Sequence, residues 1–114
     1  MRKVCGVICE YNPLHRGHAN HLERARALTG ADFVVCAMSG PFVQRGEPAV
    51  LDKWTRAQAA LLAGADLVLE LPALFAVRAA PDFAFGGVAL LAGLGVVTHL
   101  SFGAEDADLA RLTD

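Results

Sequence analysis

Two histidines stand three positions apart at the start of a predicted helix, His15 and His18, with Gly17 between them. On the first turn of a helix, residues three apart project from the same side, so both imidazoles would face one point. Free backbone N–H groups at a helix N-terminus bind anions, most often phosphate. Two imidazoles over a phosphate could stabilise the negative charge that develops during attack at phosphorus. The H-x-G-H spacing therefore indicates nucleotidyl transfer.

The alternative interpretation of these histidines is structural. A single histidine at a helix start is most often a cap or a surface residue. The complete H-x-G-H spacing follows an apolar strand and the Asn12-Pro13 turn directly, and this context favours phosphate chemistry. Gly17 has no Cβ, so we expect a ligand to approach the backbone closely there.

Apolar strands alternate with helices along the chain, which predicts a β-α-β-α-β-α-β order and a parallel sheet with right-handed crossovers. The predicted strands are 4–9, 33–38, 67–71 and 96–102. The first helix is predicted from about Gly17 to Leu28, with Gly30 as its C-terminal stop. Its buried side should carry His18, Leu22, Ala25 and Leu28, and its exposed side Glu23, Arg24 and Arg26.

The second helix is predicted at 53–63, with Asp52 as its N-cap and with Trp54, Ala57 and Leu61 on its buried side. Lys53 and Arg56 lie in its first turn, where the helix dipole disfavours cations. We hypothesise that one of them faces a phosphate or carboxylate, and simple solvation is the alternative. The third helix, 82–92, is apolar nearly all round and carries Gly86 and Gly87, which indicates close packing on the sheet.

Polar residues follow the predicted strand ends: Glu10-Tyr11-Asn12, Ser39-Gly40, Glu70 and Gly103-Ala104-Glu105. Ligands of parallel α/β sheets bind at this edge, where the strand order reverses. Glu70 lies between Leu69 and Leu71, so its carboxylate needs a partner or an elevated pKa. The loop from Ser39 to Pro48 is interpreted as a lid over the nucleotide or as an ordinary surface connection.

Net charge, cysteine content and missing motifs argue against several classes of function. The formal net charge is −2 without a basic run, which argues against strong nucleic-acid binding by this segment alone. The three cysteines, Cys5, Cys9 and Cys36, are predicted to be buried hydrophobic residues. No metal site is expected, since the three clustered histidines lack an acidic or cysteine partner at ligand spacing. No P-loop or dinucleotide fingerprint is present. Without an apparent signal peptide or membrane span, we expect a cytoplasmic protein.

Five motifs together resemble the tRNA(Met) cytidine acetate ligase family, within the H-x-G-H nucleotidyltransferase superfamily. They are I-C-E-Y-N-P-L-H-R-G-H at 8–18, M-S-G-P-F-V-Q-R-G-E-P-A at 38–49, D-K-W-T-R-A at 52–57, D-L-V-L-E-L-P at 66–72 and F-G-A-E at 102–105. The second motif is more specific than the tetrad. The resemblance covers nearly the whole chain and implies a Rossmann-like α/β fold with three α/β/α layers. Residues 1–114 would then form one nucleotidyltransferase-like ATP-binding domain.

The resemblance also implies an activity. ATP and acetate would form acetyl-adenylate, with Mg²⁺ accompanying ATP, and the acetyl group would pass to N4 of the wobble cytidine of elongator tRNA(Met). His15 and His18 would be catalytic, and Ser39, Gly40, Gln44, Arg45, Lys53, Arg56 and Glu70 are predicted substrate or lid contacts. The ATP contacts implied by the resemblance are Val7, Ile8, Cys9, Glu10, Tyr11, Asn12, Pro13, Leu14, His15, Arg16, Gly17, His18, Ala19, Asn20 and Gly103.

The family continues beyond this length, with a further strand, a helical portion and additional nucleotide contacts. The tRNA would therefore be bound mainly by regions outside this chain. Two other interpretations stay open: an H-x-G-H adenylyltransferase of cofactor biosynthesis, and a nucleotide-binding fragment without activity.

Overall fold

A computed structural model of the chain describes residues 2–43, 46–76 and 80–102. The elements follow the predicted alternation of strands and helices. They are β1 (Val4–Cys9), α1 (Arg16–Thr29), β2 (Phe33–Ser39), α2 (Lys53–Leu62), β3 (Leu67–Leu71), α3 (Ala73–Ala76), α4 (Ala80–Gly93) and β4 (His99–Phe102).

The four strands form one parallel sheet in the order β3-β2-β1-β4. From β1 the chain moves outward through β2 to β3, and it then returns to place β4 on the other side of β1. The strand order therefore reverses between β1 and β4, and the segment that leaves β1 at this point leads into α1. The parallel α/β architecture predicted from the sequence is confirmed.

Two apolar clusters cover the two faces of the sheet. On one face, Leu22 and Ala25 of α1 and Ala60 of α2 pack with the cysteines of β1 and β2. On the other face, Leu91 and Val88 of α4 pack against β1 and β2. Cys5, Cys9 and Cys36 are all buried and unbridged, as predicted. The helices and sheet thus make three layers, with the β1–β2 pair covered on both faces.

Helix α4 approaches the sheet closely because glycines stand at the contact. A Cβ at Gly87 would lie 2.7 Å from Cγ1 of Ile8, and a Cβ at Gly6 of β1 would lie 2.8 Å from Cδ1 of Leu91. The close packing predicted from the glycines of this helix is therefore present at Gly87.

Local signals at the ends of helices were predicted correctly. Gly30 ends α1 in the left-handed conformation (φ 67°), and the Asp52 carboxylate accepts a hydrogen bond from Thr55 N at 2.8 Å at the start of α2. The short helix α3 was not predicted. Helix α4 extends slightly beyond the predicted 82–92, and β4 is shorter than the predicted 96–102 because it begins at His99.

The predicted buried sides of α1 and α2 were partly wrong. Leu28 is 81% exposed, Trp54 74% and Leu61 47%, whereas Arg56 is fully buried. Helix α2 meets the sheet through Ala60 and the Arg56 guanidinium instead of its larger apolar residues. Apolar periodicity could not indicate this orientation, because it depends on backbone carbonyls that accept hydrogen bonds from the guanidinium.

Substitution of Gly87 by alanine tests the close approach of α4. Unfolding free energy should fall by about 1–2 kcal/mol, because overpacking costs about 1–3 kcal/mol and alanine's helix propensity recovers at most about 1 kcal/mol. The matched control is Gly93→Ala, in the same helix, where an added Cβ meets nothing within 4 Å. Its stability should stay the same or rise by up to about 1 kcal/mol. Urea denaturation followed by circular dichroism measures both, and equal stabilities would contradict the packing described.

Candidate active site

The candidate site is built on a reciprocal cap between two histidines at the start of α1. Nδ1 of His15 accepts hydrogen bonds from the backbone N–H of Gly17 at 3.0 Å and of His18 at 3.4 Å. In return, Nδ1 of His18 accepts the backbone N–H of His15 at 3.1 Å. This is the geometry of a capping box, with imidazoles in the places that Ser or Thr and Glu usually occupy.

The same contacts bring the two rings together. The His15 and His18 imidazoles stack with centroids 3.6 Å apart and planes inclined by 20°. Each Nδ1 accepts a backbone N–H, so it carries a lone pair, and the proton of each neutral ring lies on Nε2. Each neutral ring thus carries its Nε2–H on the side away from the capped backbone. Because capping uses Nδ1 alone, the structural and the phosphate-binding interpretations are compatible.

Gly17 makes room for the His15 ring. A Cβ at this position would lie 2.9 Å from Cε1 and 3.1 Å from Nδ1 of His15. The missing side chain therefore gives the His15 ring room to lie over the helix N-terminus. Close ligand approach to this backbone stays a prediction.

The turn before α1 is held by Tyr11 and Asn12. Tyr11 adopts a left-handed backbone conformation (φ 50°) and a cis peptide bond joins Asn12 to Pro13. The Tyr11 ring is buried and lies with its centroid 5.0 Å from that of His18. Burial and the neighbouring thiols of Cys9 and Cys36 raise the pKa of the Tyr11 phenol above its usual range, so this ring supports His18 as a neutral group.

Arg56 lies buried beneath this turn, whereas the sequence predicts it as a substrate or lid contact. Its guanidinium donates to the carbonyl oxygens of Leu51, Glu10, Ser39 and Gly40. Burial lowers the pKa of Arg56, and the carboxylates of Glu10, Asp52 and Glu70 partly oppose that shift. An arginine stays protonated against such a shift, so it places a fixed positive charge at the carboxyl edge of the sheet.

Lys53 and Glu70 form an ion pair at the same edge. Nζ of Lys53 lies 2.6 Å from Oε1 of Glu70, which supplies the partner that the sequence required for this carboxylate. The structure thus shows Lys53 facing a carboxylate of the protein. Gly40 lies against the Glu70 carboxylate, so a side chain at position 40 would collide with it.

A contact that sequence patterns did not indicate links α1 to β4. Nε2 of His21 lies 2.9 Å from Oγ of Ser101, across the position where the strand order reverses. His21 is one turn beyond His18, so helical periodicity places it on the same side of α1, but no sequence pattern indicates Ser101 as its partner. The bond fixes the helix that carries the stacked histidines against the neighbouring strand.

The predicted site residues separate into three groups. Residues 7–20 form one continuous unit of β1, turn and first helical turn, in which Val7, Ile8 and Cys9 are buried while Arg16 and Asn20 are exposed. Ser39, Gly40, Lys53, Arg56 and Glu70 lie around the ends of β2 and β3 or at the start of α2. Gln44, Arg45 and Gly103 lie outside the described residues.

Among the residues that are described, no three His, Cys, Asp or Glu side chains converge as a metal site, and no helix could span a membrane.

A parallel sheet with a capped helix N-terminus and paired imidazoles beside its reversal point is the kind of arrangement at which α/β proteins bind phosphate ligands. The family model of the HIGH Nucleotidyl Transferases matches residues 2–114, and the chain belongs to that family.

Two relatives are similar to this protein over nearly the whole chain. The tRNA(Met) cytidine acetate ligase of Acetivibrio thermocellus is 54% identical over 110 residues, 96% of this chain and 26% of that protein. The ligase of the same name from Caldanaerobacter subterraneus subsp. tengcongensis is 55% identical over 111 residues, 97% of this chain and 28% of that protein. These matches confirm the resemblance found in the five sequence motifs.

A solved structure agrees with these matches. The crystal structure of Thermotoga maritima TmcAL bound with alpha-thio ATP has a TM-score of 0.83 and 55% sequence identity, over 86% of this chain and 24% of that chain. This similarity supports the fold as well as the family. The chain spans about a quarter of the length of the relatives it matches.

The reciprocal cap predicts the protonation pattern of both imidazoles. In ¹⁵N spectra of the neutral rings, Nδ1 of His15 and of His18 should show the shift of an unprotonated nitrogen, and Nε2 that of a protonated one. Gly17→Ala should displace the His15 ring and change its nitrogen shifts, although alanine is the better helix former by up to about 1 kcal/mol. A proton on Nδ1 of either neutral ring, or an unaffected His15 in the variant, would contradict the cap.

Proposed function

We propose that this chain forms the ATP-binding and acetate-activating part of a tRNA(Met) cytidine acetate ligase. The observation that carries the proposal is the stacked, mutually capped pair of His15 and His18 at the N-terminus of α1. The Thermotoga maritima relative, with 55% sequence identity, was crystallised with alpha-thio ATP, which supports ATP as the nucleotide.

The phosphates of ATP would lie over the first turn of α1. The helix dipole favours an anion at this position. The two Nε2–H groups would donate to phosphate oxygens as negative charge develops on them, and Arg56 adds a fixed positive charge nearby. The further contacts proposed for ATP are the turn residues 10–14 and Gly103. Mg²⁺ would accompany the nucleotide and neutralise part of the phosphate charge.

The proposed chemistry has two transfers. A carboxylate oxygen of acetate attacks the α-phosphorus, the bond to the bridging oxygen breaks, and pyrophosphate leaves while acetyl-adenylate forms. The N4 amine of the wobble cytidine then attacks the acetyl carbonyl, loses a proton and displaces AMP. The ligases named above act, by their names, on tRNA(Met). In this acidic chain, the tRNA would be bound mainly by regions beyond residues 1–114.

Exchange of labelled pyrophosphate into ATP tests the first transfer. Exchange should depend on acetate and should not be supported by pantetheine phosphate or nicotinamide mononucleotide in its place. Turnover with either of those substrates would instead indicate an adenylyltransferase of cofactor biosynthesis. Binding of ATP without exchange, even with acetate supplied, would indicate a nucleotide-binding module without this activity.

A double substitution separates the chemistry of the histidines from their capping role. Asn is a strong N-cap and Gln is a normal third residue of a capping box, so His15→Asn with His18→Gln should preserve the cap. The free energy of unfolding should change by less than about 1 kcal/mol, whereas exchange should fall roughly 100–1000-fold through loss of the imidazole donors.

The control for this variant is His99→Asn. His99 is exposed and begins β4, so it lies at the amino edge of the sheet, opposite the carboxyl edge that carries the candidate site. Its exchange rate should match that of the unaltered protein. Full exchange activity in the double variant would show that the imidazoles only cap the helix.

A further inference from the structure

Arg56 is a fully buried arginine whose donors reach the backbone of three separate segments. Nε donates to Leu51 O at 3.0 Å, and Nη1 donates to Glu10 O at 2.8 Å and to Ser39 O at 3.0 Å. Nη2 donates to Gly40 O. Buried charge is tolerated only when its hydrogen-bonding groups are paired, so the position of this guanidinium is fixed by all these acceptors together.

The acceptors lie where the chain leaves the sheet. Glu10 follows β1, Ser39 and Gly40 lie at the end of β2, and Leu51 precedes α2. Carbonyl oxygens at the carboxyl edge of parallel strands extend beyond the last strand hydrogen bonds. One planar group with several donors in a fixed arrangement therefore sets the spacing between the β1 turn, the β2 turn and α2.

A short path leads from this guanidinium to the stacked histidines. Glu10, whose carbonyl is held, is followed by Tyr11 in its left-handed conformation. The Tyr11 ring contacts His18 at a centroid distance of 5.0 Å, and His18 stacks on His15. The position of the Glu10 peptide thus determines where Tyr11 supports the imidazole pair.

The same turn is also fixed from the loop that precedes α2. The Asn12 side-chain oxygen accepts the Val50 N–H at 2.6 Å, and the next residue, Leu51, accepts from Arg56. Two connections therefore join the turn to this loop: the direct Asn12–Val50 hydrogen bond, and the Arg56 guanidinium, which binds both Glu10 O and Leu51 O. Both would have to change for the turn to move independently of α2.

We propose that Arg56 is a positioning residue for the His15–His18 pair, and that it acts through Glu10 and Tyr11 without contacting the nucleotide. Its effect on turnover rests on the proposed function, whereas its effect on the ring positions does not. The sequence predicts Arg56 as a substrate contact, whereas its complete burial beneath the turn supports an indirect role.

Arg56→Lys is the test, and Arg26→Lys is its matched control. Lysine keeps the charge but cannot reproduce the planar set of donors. Arg26 also binds backbone carbonyls, those of Asp32 at 3.1 Å and Gly64 at 2.7 Å, and it pairs with Asp66. These partners precede β2 and β3, at the edge of the sheet opposite the candidate site.

Ring signals of the histidines give a readout that does not depend on activity. In Arg56→Lys, the NMR signals of the His15 and His18 rings should shift and the Tyr11–His18 nuclear Overhauser effect should weaken. In Arg26→Lys, these signals should match those of the unaltered protein. Unchanged ring signals in Arg56→Lys, or equal changes in both variants, would overturn the proposal even if no exchange activity were found.

Kinetics give the second readout. Displacement of catalytic groups should lower the maximal rate of acetate-dependent exchange roughly 10–100-fold in Arg56→Lys. The affinity of Arg56→Lys for ATP should change by less than about threefold. In Arg26→Lys, the maximal exchange rate and the affinity for ATP should each change by less than about threefold. A loss of ATP affinity with an unchanged maximal rate would overturn the proposal, because it would indicate direct contact with the nucleotide.

The unaltered protein provides a test that no folding defect can affect. On titration with a non-hydrolysable ATP analogue, the Arg56 Nε–H signal should shift together with the ring signals of His15 and His18. The Arg26 Nε–H signal should stay constant. Ring signals that respond while the Arg56 signal does not would overturn the coupling.

Discussion

The hydrogen bonds exchanged between His15 and His18 are the constraint on which the rest of the candidate site depends. A helix N-terminus leaves backbone N–H groups without intrahelical partners. Here the two imidazoles bind three of those hydrogens through Nδ1 and stack on one another as a result. One arrangement therefore satisfies the backbone, orients both rings and fixes which nitrogen carries each proton. Gly17 belongs to this arrangement because a larger residue would occupy the space of the His15 ring.

Two arginines stabilise opposite edges of the sheet by similar means. Arg56 binds carbonyl oxygens at the carboxyl edge, and Arg26 binds those that precede β2 and β3 at the amino edge. Their surroundings differ, since Arg26 is partly exposed and paired with Asp66 whereas Arg56 is fully buried among carbonyls. Arg56 thus carries its positive charge inside the protein, with the carboxylates of Glu10, Asp52 and Glu70 in its electrostatic surroundings.

The local field explains how an acidic chain could bind a polyphosphate. The formal net charge is −2, yet the carboxyl edge of the sheet combines a helix N-terminus and two imidazoles at the end of β1 with a buried guanidinium between the ends of β1 and β2. Affinity for a small anion depends on these nearby groups, because more distant exposed charges are screened by salt. Binding of a large nucleic acid instead depends on extended basic surface. The proposed division between nucleotide binding here and tRNA binding elsewhere follows from that difference.

The sequence alone determined the features that depend on neighbouring residues: the alternation of strands and helices, the caps at Asp52 and Gly30, and the shared direction of His15 and His18. These follow from turn chemistry and periodicity, which act over a few residues. The strand order, the burial of Arg56 and the contact of His21 with Ser101 were decided by the tertiary structure. So was the exposure of Trp54 and Leu28, which helical periodicity had placed inside. The physical reason is that these features depend on backbone carbonyls and side chains brought together from distant segments, and local patterns carry no information about which partners will meet.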